Sequence, residues 1–435
     1  MRATFADTRP LANADFRRLW TANIVTVIGA QLTVVAVPAQ IYALTRSSAM
    51  VGLAGLFALV PLVVGGLYGG ALADHLDRRR LLLVTTTGII LTSAAFWLQA
   101  ALDLGSVWVL LLIFAAQQAF FAVNQPTRAA VLPRLIPPDQ LPAGNALNMT
   151  VMQFGAIAGP LVGGALIPVL GYAALYGIDA LFLLATFWAV WRLPAMPPTA
   201  RTTGRVGLAH VLDGLRYLRL HTVLLMSFVV DLIAMIFGMP RALFPQVAHE
   251  SFGGPLEGGV AFAVLMAAIP LGAALGGVFS GWVSRVSRQG LAVVLAIVVW
   301  GLGITGAGLA FLLATRVGGE VRLGPAGLVG SQHLQLLLLL AVGSLAVAGA
   351  ADMASAAFRS TMLMEAAEDD VRGRLQGVFF VVVVGGPRIA DVLHGGAGSL
   401  LGPGVATAGG GVLVVVLVVV AALAAPAFIR YRVQR

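Results

Sequence analysis

Four aspartates sit inside long apolar runs of this chain: Asp179, Asp231, Asp352 and Asp391. A carboxylate in such a setting is costly unless it is paired, protonated or held by a polar ligand, which makes each a functional candidate. The chemistry open to them is proton binding and release, or charge contact with a solute. Asp231 lies near the middle of its run, flanked by Phe228, Val230, Leu232 and Ile233, and is the first candidate for a proton-linked or substrate-facing carboxylate. Asp391 stands three residues after Arg388 and three before His394, so the trio shares one face of a helix. It reads equally as a proton relay or as a neutral Arg–Asp pair that only satisfies itself. Asp352 lies nearer the end of its run, and Asp179 lies within the sixth run. Asn23, Gln31, Gln40, Gln117, Gln118, Asn124 and Gln125 supply amides to the first and fourth runs. A cavity lined by amides and aromatics suits a large polar solute as well as a lipophilic one.

Other chemistries lack their residues. There is no G-x-x-x-x-G-K-[ST] loop and no lysine to complete one, so direct ATP hydrolysis is not expected. There is no cysteine, hence no disulfide, thiol chemistry or thiolate metal site. No hydrolytic triad or metal cluster is legible, and His333 reads as an interfacial residue. The expectation is a protein that is not an enzyme and needs no cofactor.

The elements that position these residues follow from composition. The chain has 435 residues, 59% hydrophobic and 10% charged, and its mean hydropathy is +0.94. Repeated apolar runs of about 18 residues or more read as membrane helices. Twelve are expected, over 18–44, 49–73, 81–102, 106–127, 146–170, 172–192, 223–247, 259–284, 290–314, 333–358, 375–401 and 406–429. The first run is too long for the apolar core of a cleavable signal.

The formal net charge of +9 would suit nucleic acid, but its distribution does not. Arginines gather in alternate loops: the N-terminus, 78–80, 128 and 134, 192–219, 285 and 288, 359–374, and 430–435. Arg46, Arg316 and Arg322 occupy the opposite loops. This is the positive-inside pattern, with both termini cytoplasmic. The partners it implies are the bilayer and its anionic headgroups, with no nucleic acid.

Three segments are expected: a six-helix half over 1–193, a cytoplasmic linker over 194–222, and a second six-helix half over 223–435. In the linker, Leu208, Val211, Leu212, Leu215 and Leu218 recur at helical spacing between polar residues, an interfacial amphipathic helix. The halves repeat. Gly65, Gly66 and Gly70 align with Gly276, Gly277 and Gly281, and Arg128 aligns with Arg359. Arg285 stands where the second copy of Asp74 would be.

The run Gly69–Arg80 joins the second and third apolar segments. Gly70, Leu72, Ala73, Asp74, Arg78 and Arg79 match the G-x-L-A-D-R-x-G-R-R loop of the major facilitator superfamily, while His75 and Asp77 depart from it. Gly155, Gly159, Pro160, Gly163 and Gly164 resemble the G-x-x-x-G-P-x-x-G-G signature of its drug/proton antiporter branch. The stretches Val34–Leu53 and Met266–Gly276 are similar to the bacterial enterobactin exporter group of that superfamily. Gln125–Leu147 and the Arg372-Gly373-Arg374 turn are similar to a wider set of efflux relatives.

The resemblance implies an all-α membrane protein with twelve helices in two pseudo-symmetric halves, in the bacterial cytoplasmic membrane. It also implies a cytoplasmic gate built on Gly70, Asp74, Arg78 and Arg79, with Asp74 facing the helix that starts near Arg374. A topology determinant alone is the other reading of that cluster. The implied function is efflux of a siderophore or similar large secreted metabolite, with protons as the coupling ion. A general multidrug/proton antiporter and a lysophospholipid flippase are the alternatives.

Overall fold

In lipid, every backbone N–H and C=O must be satisfied within its own segment, which leaves helices as the economical answer for long apolar runs. The computed structural model describes the backbone of residues 7–198, 213, 216–324, 327–366 and 369–432. Within these, side chains are described except at 67, 70, 71, 73, 74, 323, 324, 327, 366, 369–381 and 384. Among the described residues, 10 helices are long and apolar enough to cross a membrane.

The first helices are α1 (Ala14–Thr45), α2 (Ser48–His75), α3 (Arg78–Ala101), α4 (Val107–Leu135) and α5 (Leu141–Trp191). α5 is 51 residues long. At the rise of a straight helix it would reach about 75 Å, more than twice the apolar thickness of a bilayer. Gly171 breaks it, with φ 74° and ψ 169°. A residue with a Cβ would be strained in that conformation. The break falls between the runs expected at 146–170 and 172–192.

The later helices are α6 (Thr222–Phe237), α7 (Phe244–Glu250), α8 (Val260–Val278), α9 (Gln289–Val317), α10 (Gln332–Ala366), α11 (Asp369–Leu401), α12 (Pro403–Ala424) and α13 (Pro426–Arg430). The apolar run expected as one helix over 223–247 is divided. α6 stops at Gly238, and Pro240 opens a short 3-10 turn to Leu243 before α7. Proline lacks the N–H that would continue the ladder and disfavours helix in the residue before it. The long loop after α9 carries a small antiparallel hairpin, Arg322–Gly324 with Gly327–Val329, that no sequence signal announced. The amphipathic linker helix lies largely outside the described residues.

The chain packs as two units, Met1–Val37 with Val60–Gly207 and Pro38–Leu59 with Leu208–Arg435. One change of unit falls at Pro38 within α1, and the other just before Pro61 within α2. Prolines inside helices free a carbonyl and permit a bend at such points.

In the first unit, Phe16, Leu82, Val131, Leu135, Leu147, Val190 and Met196 form one buried cluster. Close approaches rely on small residues, as expected where lipid offers no hydrophobic drive between helices. A Cβ on Gly65 of α2 would lie 2.6 Å from Ala122 Cβ of α4. In the second unit, a Cβ on Gly276 of α8 would lie 2.9 Å from the Ala350 backbone of α10. The repeated glycines thus serve equivalent helix pairs. Within the second unit, residues 38–59 are tied by polar contacts. Tyr42 Oη donates to Glu250 Oε1 at 2.9 Å, and Ser48 Oγ donates to the Gly395 carbonyl at 3.0 Å.

Candidate functional site

The first unit encloses a cavity of about 520 Å³ between α1, α3, α4 and α5. Asn23 and Gln31 reach it from α1, Asn124 and Gln125 from α4, and Asn145 and Asn148 from α5. Phe16, Trp20 and Phe121 add aromatic wall, and Arg128 is its one charged lining residue. α4 carries three of these polar groups within little more than one turn, Asn124, Gln125 and Arg128, which helical periodicity brings to one side. Asn124 Nδ2 is held by the hydroxyls of Thr85 at 2.8 Å and Thr86 at 3.3 Å. Of the amides expected to line a cavity, Asn23, Gln31, Asn124 and Gln125 do so, whereas Gln40 belongs to the second unit and Gln117 turns away and donates to Ser93 Oγ at 3.1 Å. Gln118 is half-buried and is not among the lining residues.

Asp179 lies outside that wall, 1% exposed. One carboxylate oxygen accepts from Thr33 Oγ1 at 2.7 Å and from Ser93 Oγ at 2.8 Å. The other has no hydrogen-bond partner among the described residues and lies against Gly29, where a Cβ would come within 2.9 Å of it. Only a residue without a side chain leaves room for the acid there.

In the second unit, α6, α10 and α11 carry the charges. Asp231 of α6 forms a buried ion pair with Arg359 of α10. Apart from that pairing, neither Asp231 oxygen has a hydrogen-bond partner among the described residues. Asp352 precedes Arg359 by about two turns on the same helix. Two acids thus lie within the electrostatic reach of one guanidinium, and Asp231 is the one that forms an ion pair with it among the described residues.

Asp391 of α11 has a different arrangement. Arg241, in the turn after α6, grips it with two parallel bonds, Nε to Oδ1 and Nη2 to Oδ2, each 2.9 Å. This forked geometry is the strong, orienting form of an Arg–carboxylate pair. Arg388 Nη1 approaches the same carboxylate at 3.6 Å. His394 does not touch the acid. Its Nε2 donates to the Phe237 carbonyl at 3.0 Å, which caps the end of α6. A carbonyl can only accept, so Nε2 carries the proton. Gly55 packs on this acid, with a Cβ there 2.8 Å from Asp391 Cβ.

The remaining sequence-predicted residues belong to the first unit. Gly155, Gly159 and Gly163 of α5 pack directly on α1, where added Cβ atoms would meet Val27, Gln31 and Leu32. Pro160 and Gly164 are buried in the same stretch. Arg78 donates to the Ala130 carbonyl at 3.3 Å, and Arg79 to the Trp191 carbonyl at 2.6 Å. The side chains of Asp74 and Arg374 lie outside the described residues. Asp77, a departure from the superfamily loop, accepts from Arg80 N at 3.0 Å and from Met196 N at 2.8 Å. The first of these bonds caps the N-terminus of α3.

Sequence reasoning missed Arg359 and Arg241 as partners of the two acids, and Arg128, Asn145 and Asn148 as cavity residues. Arg241 could have been flagged, because an arginine after Gly238-Met239-Pro240 inside an apolar run marks both a helix break and a buried charge. No sequence signal joins Asp231 to Arg359.

Residues 4–433 match the family described as transmembrane secretion effector. The Enterobactin exporter EntS of Shigella boydii serotype 4 (strain Sb227) is 28% identical over 394 residues, covering 89% of this chain and 86% of that protein. Its counterpart from Escherichia coli O139:H28 (strain E24377A / ETEC) is 27% identical over the same length. Among solved structures, the nucleoside transporter NupG superposes with a TM-score of 0.72 at 13% identity, over 96% of this chain and 100% of that one. A bacterial homologue of the iron transporter ferroportin in its inward-facing state gives 0.64 at 14% identity, over 95% and 98%. Both carry the fold of major facilitator transporters.

Proposed function

Because this chain belongs to the transmembrane secretion effector family, and is therefore a multi-pass membrane transporter rather than an enzyme, we propose that it exports a siderophore or a similar large secreted metabolite. The observation that carries the reading is the match to enterobactin exporters over 89% of the chain. The amide- and aromatic-lined cavity supports it, since many weak polar contacts suit a large oxygen-rich cargo better than a small ion. Export is driven by protons through alternating access, with twelve spans and both termini in the cytoplasm.

Asp231 is the coupling carboxylate, with Asp352 as its neighbour. One guanidinium balances one carboxylate, so the Asp231–Asp352–Arg359 group is neutral only when a proton sits on one of the acids. Loading and releasing that proton changes the charge of a buried site and gives the transport cycle a handle. Asp74, Gly70, Arg78 and Arg79 form the cytoplasmic gate in this reading.

The test is a comparison of siderophore accumulation in cells with and without this chain, followed by efflux from proteoliposomes under an imposed pH gradient. Retention in the deletion strain and gradient-driven efflux are expected. Equal secretion by both strains, together with efflux of unrelated lipophilic drugs, would replace the reading with a general drug antiporter. Efflux that requires ATP and ignores the gradient would remove proton coupling.

A further inference from the structure

The cavity of the first unit holds six amides and one guanidinium, and no lining residue is a carboxylate. Arg128 is half-buried within α4, and no ion pair or hydrogen bond holds its guanidinium among the described residues. Two arginines of the second unit differ: Arg359 is matched by Asp231 and Arg241 by Asp391. A half-buried guanidinium in a cavity wall is costly to leave without a counter-charge, and an entering anion supplies one.

We propose that this cavity binds an anionic, oxygen-rich aromatic group of the cargo, a ring bearing a carboxylate or an ionised phenol, with Arg128 as its charge partner. The proposal rests on the exporter reading above for the identity of the ligand as cargo. Each part of the wall has a matching task. The guanidinium offers a planar fork of donors that fits a carboxylate bidentately. Asn145 and Asn148 of α5 and Asn23 of α1 can donate to or accept from neutral oxygens. Trp20 and Phe121 offer apolar faces for a ring. The cavity volume of about 520 Å³ suits one drug-sized group. A lipophilic cation would meet Arg128 with no acid in the wall to offset the repulsion, so the cavity discriminates against that class. A phospholipid headgroup shares the anionic chemistry and is the competing source of the ligand.

The experiment uses the full-length protein in detergent and measures binding by equilibrium dialysis. The probes are salicylate, tetraphenylphosphonium and lysophosphatidylglycerol. Salicylate should bind, and tetraphenylphosphonium should bind more weakly. Arg128→Gln should weaken salicylate by about tenfold or more, the share of one charge-assisted hydrogen bond, and Arg128→Lys should restore most of it. Asn148→Asp leaves Arg128 in place but adds a carboxylate to the wall, and should weaken salicylate while strengthening the cation. Equal salicylate affinity in wild type, Arg128→Gln and Asn148→Asp would overturn the proposal. Tighter binding of the cation than of salicylate by the wild type would do the same. Binding of lysophosphatidylglycerol with no binding of salicylate would assign the cavity to lipid and overturn the metabolite form. A failed exporter reading would look different, with normal siderophore secretion in the deletion strain while Arg128-dependent salicylate binding persists.

Discussion

Replacing Asp231 by Asn removes the acid that forms an ion pair with Arg359, in a place where Asp231 is 1% and Arg359 7% exposed. At a separation of about 4 Å and an effective dielectric near 20, the lost attraction is about 4 kcal/mol. That loss agrees with the roughly 3–5 kcal/mol typical when one partner of a buried pair is removed. Asp231→Asn combined with Arg359→Gln removes both charges, and stability should return to within about 1 kcal/mol of wild type. Thermal unfolding of the two single variants and the double variant in detergent gives the coupling energy of the pair. Transport is measured in parallel, as uphill efflux under an imposed pH gradient and as counterflow exchange without one. The double variant should fold and exchange but fail to move cargo uphill. If it pumps uphill with the wild-type pH dependence, the pair is structural and the coupling carboxylate lies elsewhere.

Gly159→Leu should lower stability by about 1–3 kcal/mol through overpacking. The new side chain starts against Gln31 Cγ, 2.9 Å from an added Cβ; unchanged thermal stability would deny the close approach of α5 to α1. Asp77→Ala should cost about 2 kcal/mol, from one lost helix cap and one lost bond to a backbone amide. The groups left without their acceptor are Arg80 N and Met196 N, and Asp77→Asn should recover part of the loss, as read by thermal unfolding. Asp74→Asn should leave expression normal and slow turnover several-fold, the loss expected from about 1 kcal/mol of charge–dipole interaction at a helix end; full turnover at normal expression would leave Asp74 as a topology determinant.

The membrane-helix fold was legible because lipid leaves the backbone few choices, and each apolar run had to become a helix. Gly171 was readable as a break because it separates two full-length runs. The division of 223–247 was less readable, because the run stays apolar on both sides of the turn and only the short stretch Gly238-Met239-Pro240-Arg241 marks it. The hairpin at 322–329 pairs two very short strands in a loop, too short for any alternation to stand out.

The candidate acids were legible one at a time, since a charge in an apolar run is visible without a partner. Their partners were not. Arg359 has the spacing of a helix-end arginine equivalent to Arg128, and loop-by-loop charge counting assigns it to the interface. The structure places it inside, against Asp231 on a helix distant in sequence. The trio Arg388, Asp391 and His394 shows the reverse error. Helical spacing brings the three to one face, but Asp391 takes its closest partner from Arg241 and His394 turns to the Phe237 carbonyl. Spacing along one helix reports neighbours on that helix and is silent about what packs against it.

These pairings also rank the acids for proton coupling by charge count alone. Asp391 faces two arginines, one of them in a forked grip, so a proton on it would leave two cations without an anion. That arrangement favours a fixed ion pair, which suits anchoring residues 38–59 to α11 through Gly55. Asp179 faces hydroxyls and no cation, so it can be neutral without a partner, but nothing among its described neighbours changes if it stays so. Asp231 and Asp352 stand between these extremes. With both ionised the group carries one negative charge, and with one proton it carries none. Of the acids considered, only theirs sets two carboxylates near one fixed cation, so a single proton cancels the charge left over, and Arg359 is the residue that makes it so.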